Sequence, residues 1–580
     1  MTRTVLRNFA IYAREKLIED TRVRASMMGI TEDGIQPPLL ESKSADELVF
    51  ETGTAKPFAI SGDEVRLYRA LIDELEKRKK HSSHRVAYKE LIEDIACTWF
   101  VRLVAIRFLE INNYLPKGIR ALSSGRQEVE EPELVIRYFD AGLNLTDKEI
   151  GQLEEWKTKA DPISMDRAFR LLLIKLCHEL DQYFPILFDR TKAYPDLLLN
   201  VSYSDPEGVV YRLVHQIEEK HFDIESQGGE GNAEVVGWLY QYYNTRPRDR
   251  VIDVLSKTIV RKRDIPAATQ VFTPDWVVRY MVDNSLGRYW LERNPDSPIR
   301  ESLEYLMPGD IPIIQEEVSP EEIKVFDNAM GSGHCLSYAF DLLLMIYESR
   351  GYTAEEASRL IIEKNLYGLD IDKRTCGLAR FILLMKARRH NERALDWGTK
   401  TNLTYFEDSS GIHKDCLNHF GLNMGPSRRE RAQKEAAYLM NKFENAVEIG
   451  SLLRIDKIQE GLLLDFIHDC GEDGHIQMEG LGIREIQRRL GKLVKIASIL
   501  TDRYHVMVTN PPYLNKPDRK LKDYIYKNYA DYKGDLFSAF IYNNLRMCQR
   551  GGYSAYMSPF VWMFIRTHEG LRKHIIKSKS

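Results

Sequence analysis

From Asp63 to Leu115 the apolar residues recur at three- and four-residue spacing, as in Val65, Tyr68, Leu71 and Leu75 and through the run Leu91 to Leu109. That period lines them along one face of a helix. The pattern returns at Ile150–Lys159, Met165–Tyr183 and Val209–Lys220, while strand signals are sparse before residue 250. Residues 1–250 are therefore expected to form a mostly helical domain. Within it, Ser226–Asn232 is Gly-rich and polar and reads as a loop,. Gly237–Asn244 holds Trp238, Tyr240, Tyr242 and Tyr243 within one short stretch, which reads as helix core.

Beyond about residue 320 the pattern changes. Short β-type runs at Ile323–Phe326, Leu366–Leu369, Leu403–Phe406, His505–Val508 and Tyr553–Met557 alternate with helix-like segments. That alternation predicts a doubly wound α/β sheet, in a domain covering 251–580. The interval from about 410 to 497 is too long for a plain connection between strands. Its charged helical patterns, Ser427–Phe443 and Ile483–Leu500, make it a helical insertion.

A chain of 580 residues is long enough for more than one core,. Its 82 Lys+Arg nearly balance 86 Asp+Glu, so a nucleic-acid partner does not follow from bulk charge and needs a local patch,. The seven cysteines are scattered without C-x-x-C spacing, which argues against a disulfide framework and a structural zinc,. A reducing, cytoplasmic setting is expected. Met1 to Lys16 alternates charged and apolar residues and is no signal peptide, and no stretch approaches an uncharged membrane span,. Neither a membrane nor a metal is expected as a partner.

Two motifs carry chemistry. The run Ile323–Phe326 leads into Asp327-Asn328-Ala329-Met330-Gly331-Ser332-Gly333, followed by a helix-like segment from about Cys335 to Tyr347. A buried strand turning through glycines into a helix lets a ligand approach the backbone at the carboxyl edge of a sheet. A second strand ends in Asp370-Ile371-Asp372. A carboxylate at Asp370 is placed to accept both ribose hydroxyls of an adenosine-containing cofactor. The loop reads G-x-G-x-x-L (Gly331, Gly333, Leu336), so it lacks the third glycine of a dinucleotide fingerprint, which disfavours a nicotinamide-dependent oxidoreductase,. A tight turn with no ligand is the plain alternative. His334, beside Cys335, reads as a loop residue and not a metal ligand.

The more specific motif is Asn510-Pro511-Pro512-Tyr513, directly after the apolar strand His505–Val508. The exocyclic amine of adenine is a poor nucleophile, because its lone pair is delocalised into the ring. Two acceptors aimed at its hydrogens, the Asn510 side-chain oxygen and the Pro511 carbonyl, localise that pair toward a methyl donor. The prolines fix a carbonyl without a competing N–H. Tyr513 is suited to stack on a base drawn out of the duplex. Such a site works by positioning and electrostatic orientation. A proline-stiffened loop is the plain alternative here.

In this order, Gln270-Val271-Phe272-Thr273-Pro274, the glycine loop, Asp370 and Asn510–Tyr513 resemble the gamma class of amino methyltransferases. The resemblance implies S-adenosyl-L-methionine as cofactor, with Phe272, Thr273 and Pro274 over its methionine end and Asp327 and Ala329 at the loop entry. It also implies a residue after the third strand against the cofactor adenine. Glu407-Asp408-Ser409 is preferred for that role, and Gly450-Ser451-Leu452 is its rival. Ala267–Met281 and Gly237–Tyr243 narrow the resemblance to the PglX family of BREX phage-defence systems, from Met1 to about Lys577. In that family the sheet continues beyond the fifth strand and a target-recognition domain follows. Measured against it, this chain is expected to be a partial one, with an incomplete sheet edge and without the target-recognition domain.

The partners implied are double-stranded DNA with a flipped adenine and other BREX proteins. Lys516, Arg519 and Lys520, with Lys522, Lys527 and Lys533 beyond them, are the candidate phosphate contacts, interleaved with Tyr524, Tyr526, Tyr529 and Tyr532,. A solvated helix face is the plain alternative. The basic run Lys257–Arg263 reads as a linker surface. Two functions remain open: a site-specific adenine methyltransferase, and a non-catalytic piece of one that binds cofactor, DNA or complex partners.

Overall fold

The computed structural model describes residues 2–39, 46–53, 57–80, 82–126, 129–225, 231–245, 273–397, 401–470, 477–478, 481–514 and 517–578. Phe272, Lys516, the basic run Lys257–Arg263 and most of the Gly-rich stretch near residue 228 lie outside the described residues. The chain divides into two compact units, Met1–Arg246 and Pro247–Ser580.

In the first unit the helix Thr2–Ser26 packs on His84–Ile111 and Val235–Tyr243. His84–Ile111 is buried on nearly every side of its second half, which explains its near-continuous apolar run,. The aromatic run is core: Tyr240 and Tyr243 are buried, and the Tyr243 ring lies 4.4 Å from that of Phe100. Charges enclosed here are paired. Arg107 bonds Glu110, whose carboxylate also accepts the amides of Ala121 and Leu122 at 2.8 and 2.7 Å,. One feature departs from the helical expectation, an antiparallel hairpin of β1 (Glu47–Phe50) and β2 (Phe58–Ser61). Strands of four residues are too short for alternation to register in the sequence.

The second unit is built on a parallel sheet. Its strands are β3 (Val325–Asp327), β4 (Leu366–Asp370) and β5 (Asn402–Tyr405), and, after a two-residue ribbon of β6 (Gln477–Met478) and β7 (Leu481–Gly482), β8 (Tyr504–Thr509) and β9 (Cys548–Tyr556). The spatial order is β5-β4-β3-β8-β9, and every pair is parallel. The central strands are enclosed and read as apolar runs for that reason. Phe326, Leu369 and Met507 share a core with the helices Pro426–Lys442, Glu460–His468 and Ile483–Thr501 of the long interval between β5 and β8. On the opposite face, Met330 and Leu336 cover the sheet at Gly368.

β9 starts five residues before the run expected from the sequence. It passes through Gly551-Gly552 with a shift of register against β8. A side chain at Gly552 would put its Cβ 2.5 Å from the His505 carbonyl, so only glycine lets the strand approach there,. The glycine pair is thus part of the ladder.

Among the described residues, no helix is long and apolar enough to cross a membrane, and no group of His, Cys, Asp and Glu is placed to hold a metal ion.

The approaches to β3 and β4 are joined by Asn365, which is fully buried. Its amide donates to the carbonyls of Pro320 and Ile323, both at 2.7 Å, and its oxygen accepts the Tyr347 hydroxyl at 2.9 Å. Asn365→Leu leaves the Ile323 carbonyl and the Tyr347 hydroxyl, both buried, without this partner, and is expected to cost about 2 kcal/mol or more in chemical denaturation,.

Candidate active site

Because all five strands run parallel, their carboxyl ends lie along one edge of the sheet, and the loops that follow share it,. The first is the glycine loop after β3. Gly331 and Gly333 have φ of 53° and 84°, in the left-handed region that favours glycine,. A Cβ on Gly333 would stand 2.9 Å from that of Ala379, whereas nothing lies within 4 Å of the corresponding position on Gly331. The loop is therefore closed on the protein side and open above Gly331. The following helix is His334–Glu348, so His334 begins the helix and is not the loop residue expected. Burial of the next turn, Cys335 and Leu336, draws the helix start back to it.

Asp370, at the end of β4, reaches this loop. Its Oδ2 accepts the Gly331 amide and its Oδ1 the Asp372 amide, both at 2.8 Å. Asp327, at the end of β3, accepts the Ala329 amide at 3.1 Å. Burial pushes Asp327 up to about 7, with repulsion from Asp370 adding to it,. Burial likewise pushes Asp370 up to about 6, with Asp372 adding, while the amides of Asp372 and Gly331 hold it back,. The Ser332 hydroxyl is buried and has no hydrogen-bond partner among the described residues.

The Asn510-Pro511-Pro512-Tyr513 segment follows β8, the strand paired directly to β3. The Asn510 amide donates to the Thr273 hydroxyl at 3.0 Å, and its oxygen accepts the Tyr513 hydroxyl at 2.8 Å. Tyr513 Oη also lies 2.9 Å from the Met557 carbonyl, at the end of β9. Pro274 begins the turn into the helix Asp275–Val282. Beyond Tyr513, the Leu514 amide donates to Asp535 at 3.0 Å, and Asp535 caps the helix Leu536–Met547.

The glycine loop is tied to the helix Leu536–Met547 and to Ser451 by buried polar groups, of which the sequence pattern does not single out Asn543 and Asn544. Asn328, in the glycine loop, donates to Asn544 Oδ1 at 2.6 Å, and Asn544 donates back at 3.3 Å. Ser451 donates to the Asn328 carbonyl at 2.5 Å, and Asn543 donates to the Ser451 carbonyl at 3.0 Å. Two adjacent asparagines in the otherwise apolar Leu536–Met547 are the signal that could have found them.

Of the two segments weighed for the cofactor adenine, the structure brings Gly450-Ser451-Leu452 against the glycine loop, with Gly450 beside Ile371. Glu407 faces elsewhere, toward Lys492 at 3.2 Å and Arg488 at 3.8 Å, and Asp408 accepts the Val447 amide at 2.9 Å. Enclosure of Lys492 lowers its pKa to about 7, against the pull of Glu407,. Arg519 is fully open to solvent near Asp523, and Lys520 reaches Asn445 at 3.1 Å.

Comparisons with known proteins fit this arrangement. Residues 364–580 match the family model described as Eco57I restriction-modification methylase. The chain is 35% identical to adenine-specific methyltransferase PglX of Lacticaseibacillus casei (strain Zhang), over 99% of this chain and 48% of that protein. It is 33% identical to adenine-specific methyltransferase BrxX of Escherichia coli O9:H4 (strain HS), over 85% of this chain and 42% of that one. The chain thus spans about half the length of the curated relatives it matches. Among solved structures, a DrdV–DNA complex overlaps 92% of this chain and 42% of that chain, at 12% identity and a TM-score of 0.31, too loosely to carry weight. The similarity to PglX runs along nearly the whole of this chain. The helical first unit, the parallel sheet and the methylase match together fit an α/β methyltransferase.

The two raised carboxylates give a pH signature. Each holds a proton in the folded chain that the unfolded chain has already released, so their contribution favours folding below about pH 4 and is lost as pH rises through 6 to 7,. Asp327→Asn removes the larger share. In chemical denaturation across that range, the variant is expected to show a shallower loss than the parent and to be the more stable by roughly 2–3 kcal/mol at pH 8.

Proposed function

We propose that this chain carries the methyl-transfer site of an adenine-specific DNA methyltransferase in a BREX-type defence system, acting on a flipped adenine of double-stranded DNA with S-adenosyl-L-methionine as cofactor. The observation that carries the reading is the pairing of β3 with β8, which sets the glycine loop and Asn510–Tyr513 side by side on one sheet edge. The relatives named adenine-specific methyltransferases support the chemistry. The sheet is read as doubly wound, since its order runs outward from β3 in both directions with helices on both faces,. Residues 1–250 are read as a helical domain attached to this core, and about 410–497 as its helical insertion. A cytoplasmic setting is part of the same proposal.

The residues present fit the cofactor. Open space above Gly331, the unpartnered Ser332 hydroxyl and the Asp370 carboxylate at the loop offer a place, a donor and an acceptor for an adenosine-containing ligand. Asp370 would take the ribose hydroxyls, and Ile371 with Gly450–Leu452 would flank the adenine. When bound, the cofactor supplies an activated methyl group. The protein's part is orientation. Asn510 Oδ1 and the Pro511 carbonyl accept the two hydrogens of the target amine, so its lone pair points away from the ring. Thr273 holds the Asn510 amide so that oxygen, not nitrogen, faces the base. Tyr513 has a hydroxyl partner at Met557, which lets it release Asn510 when the amine arrives.

Two measurements test this. Calorimetric titration with S-adenosylmethionine is expected to show binding weakened at least tenfold by Asp370→Ala, in line with loss of a charge-assisted pair; equal affinities would take Asp370 out of the site. With tritiated cofactor and duplex DNA, Asn510→Ala is expected to lower label in adenine by about a hundredfold or more. Binding of both ligands by the parent chain with no label transferred would leave it the binding role alone.

A further inference from the structure

The helix Arg519–Asn528, directly after the catalytic loop, does not present its cations and aromatics uniformly. Tyr524 and Tyr529 turn inward: the Tyr524 hydroxyl accepts the Arg454 amide at 2.8 Å, and that of Tyr529 donates to the Leu452 carbonyl at 2.7 Å. They hold the Gly450–Leu452 turn and are not free to meet a ligand. Tyr526 is different. It is 50% exposed, and the ammonium groups of Lys533 and Lys522 lie 4.6 and 5.6 Å from its ring centroid.

Among the described residues, no carboxylate pairs with Lys522 or Lys533. The face continues past Lys533. Tyr532 stacks on Tyr542 at 4.0 Å, and the Arg454 guanidinium lies 4.5 Å from the Tyr529 ring and 5.8 Å from that of Tyr542, again with no carboxylate paired to it among the described residues. Cations without a carboxylate partner beside one exposed ring suit one kind of partner. Ammonium groups neutralise phosphates, and rings pack on sugars or unstacked bases whatever the sequence. A solvated helix face has no need of an exposed tyrosine beside two lysines.

Resting on the methyltransferase reading, we propose that Lys522, Tyr526 and Lys533, extended by Arg454, form a sequence-independent binding surface for the DNA backbone beside the extruded adenine. The surface holds the duplex in place while Asn510–Tyr513 engages the base. It does not rest on Arg519, an exposed cation of the same helix that lies near Asp523.

Fluorescence anisotropy of the whole chain with a short labelled duplex, over a series of salt concentrations, tests the proposal. Lys522→Ala with Lys533→Ala is expected to lower the slope of log affinity against log salt by about 2, one for each phosphate no longer neutralised. Tyr526→Ala is expected to weaken binding about fivefold or more while leaving that slope unchanged. The control removes two exposed cations of the insertion, Arg428→Ala with Lys434→Ala. Calorimetric cofactor binding, unchanged in each variant, shows that the fold is kept. Equal affinity and slope in parent and variants, or an equal loss in the control, overturns the DNA-binding surface while leaving the methyltransferase reading in place. No DNA binding by the parent at low salt overturns both. Loss of self-association with DNA affinity intact assigns the face to a second copy and overturns the proposal.

Discussion

The parallel pairing of β3 with β8 is the constraint on which the second unit depends. Val325 and Phe326 lie against Val506 and Met507, residues some 180 positions later in the chain. The register is held at its entry by the Lys324 amide on His505 Nδ1 at 3.0 Å and by the Lys324–Asp502 ion pair at 2.6 Å. Within the sheet, the ring of Tyr504 stacks on Phe326 at 4.4 Å. A slip of one residue would turn Phe326 and Met507 from the insertion helices to the other face and carry each following loop off its partner. The pairing therefore sets both the core and the juxtaposition of two loops that the chain keeps far apart.

What the pairing places, a set of buried polar groups then holds. An unpartnered amide in the interior costs more than a satisfied one gains, so such groups tolerate few arrangements. Asn328 and Asn544 clasp each other across the edge, Ser451 closes on the Asn328 carbonyl, and Thr273 orients Asn510. The Ser332 hydroxyl, in the glycine loop, is one of several buried groups left without a partner among the described residues,.

The sheet and both loops were legible because their signals are local. A buried parallel strand needs an apolar run, a close approach needs glycine, and a carbonyl fixed without an N–H needs proline. Three features were not legible. β9 begins at Cys548, ahead of the run Tyr553–Met557, because an edge strand is only partly buried and its first residues carry no apolar pattern. Ser451 lies beside the glycine loop because the long interval after β5 folds back, and no local pattern encodes that return. Glu407 is engaged by Lys492 from the helix Ile483–Thr501, a pairing between residues distant in sequence, so a choice based on its place after β5 could not foresee it. The same limit applied to the tyrosines after the catalytic loop, which look equivalent in sequence and divide in the structure into inward props and one exposed ring.

The most direct measurement of whether the two loops share one cleft is photolabelling with a cofactor analogue that carries a diazirine in place of the transferable methyl group. Peptide mapping of the irradiated chain is expected to find label on the segment from Asn510 to Leu514, suppressed by excess S-adenosylmethionine and lost in Asp370→Ala. Suppressible label confined to peptides away from both the glycine loop and Asn510–Leu514 would contradict the account.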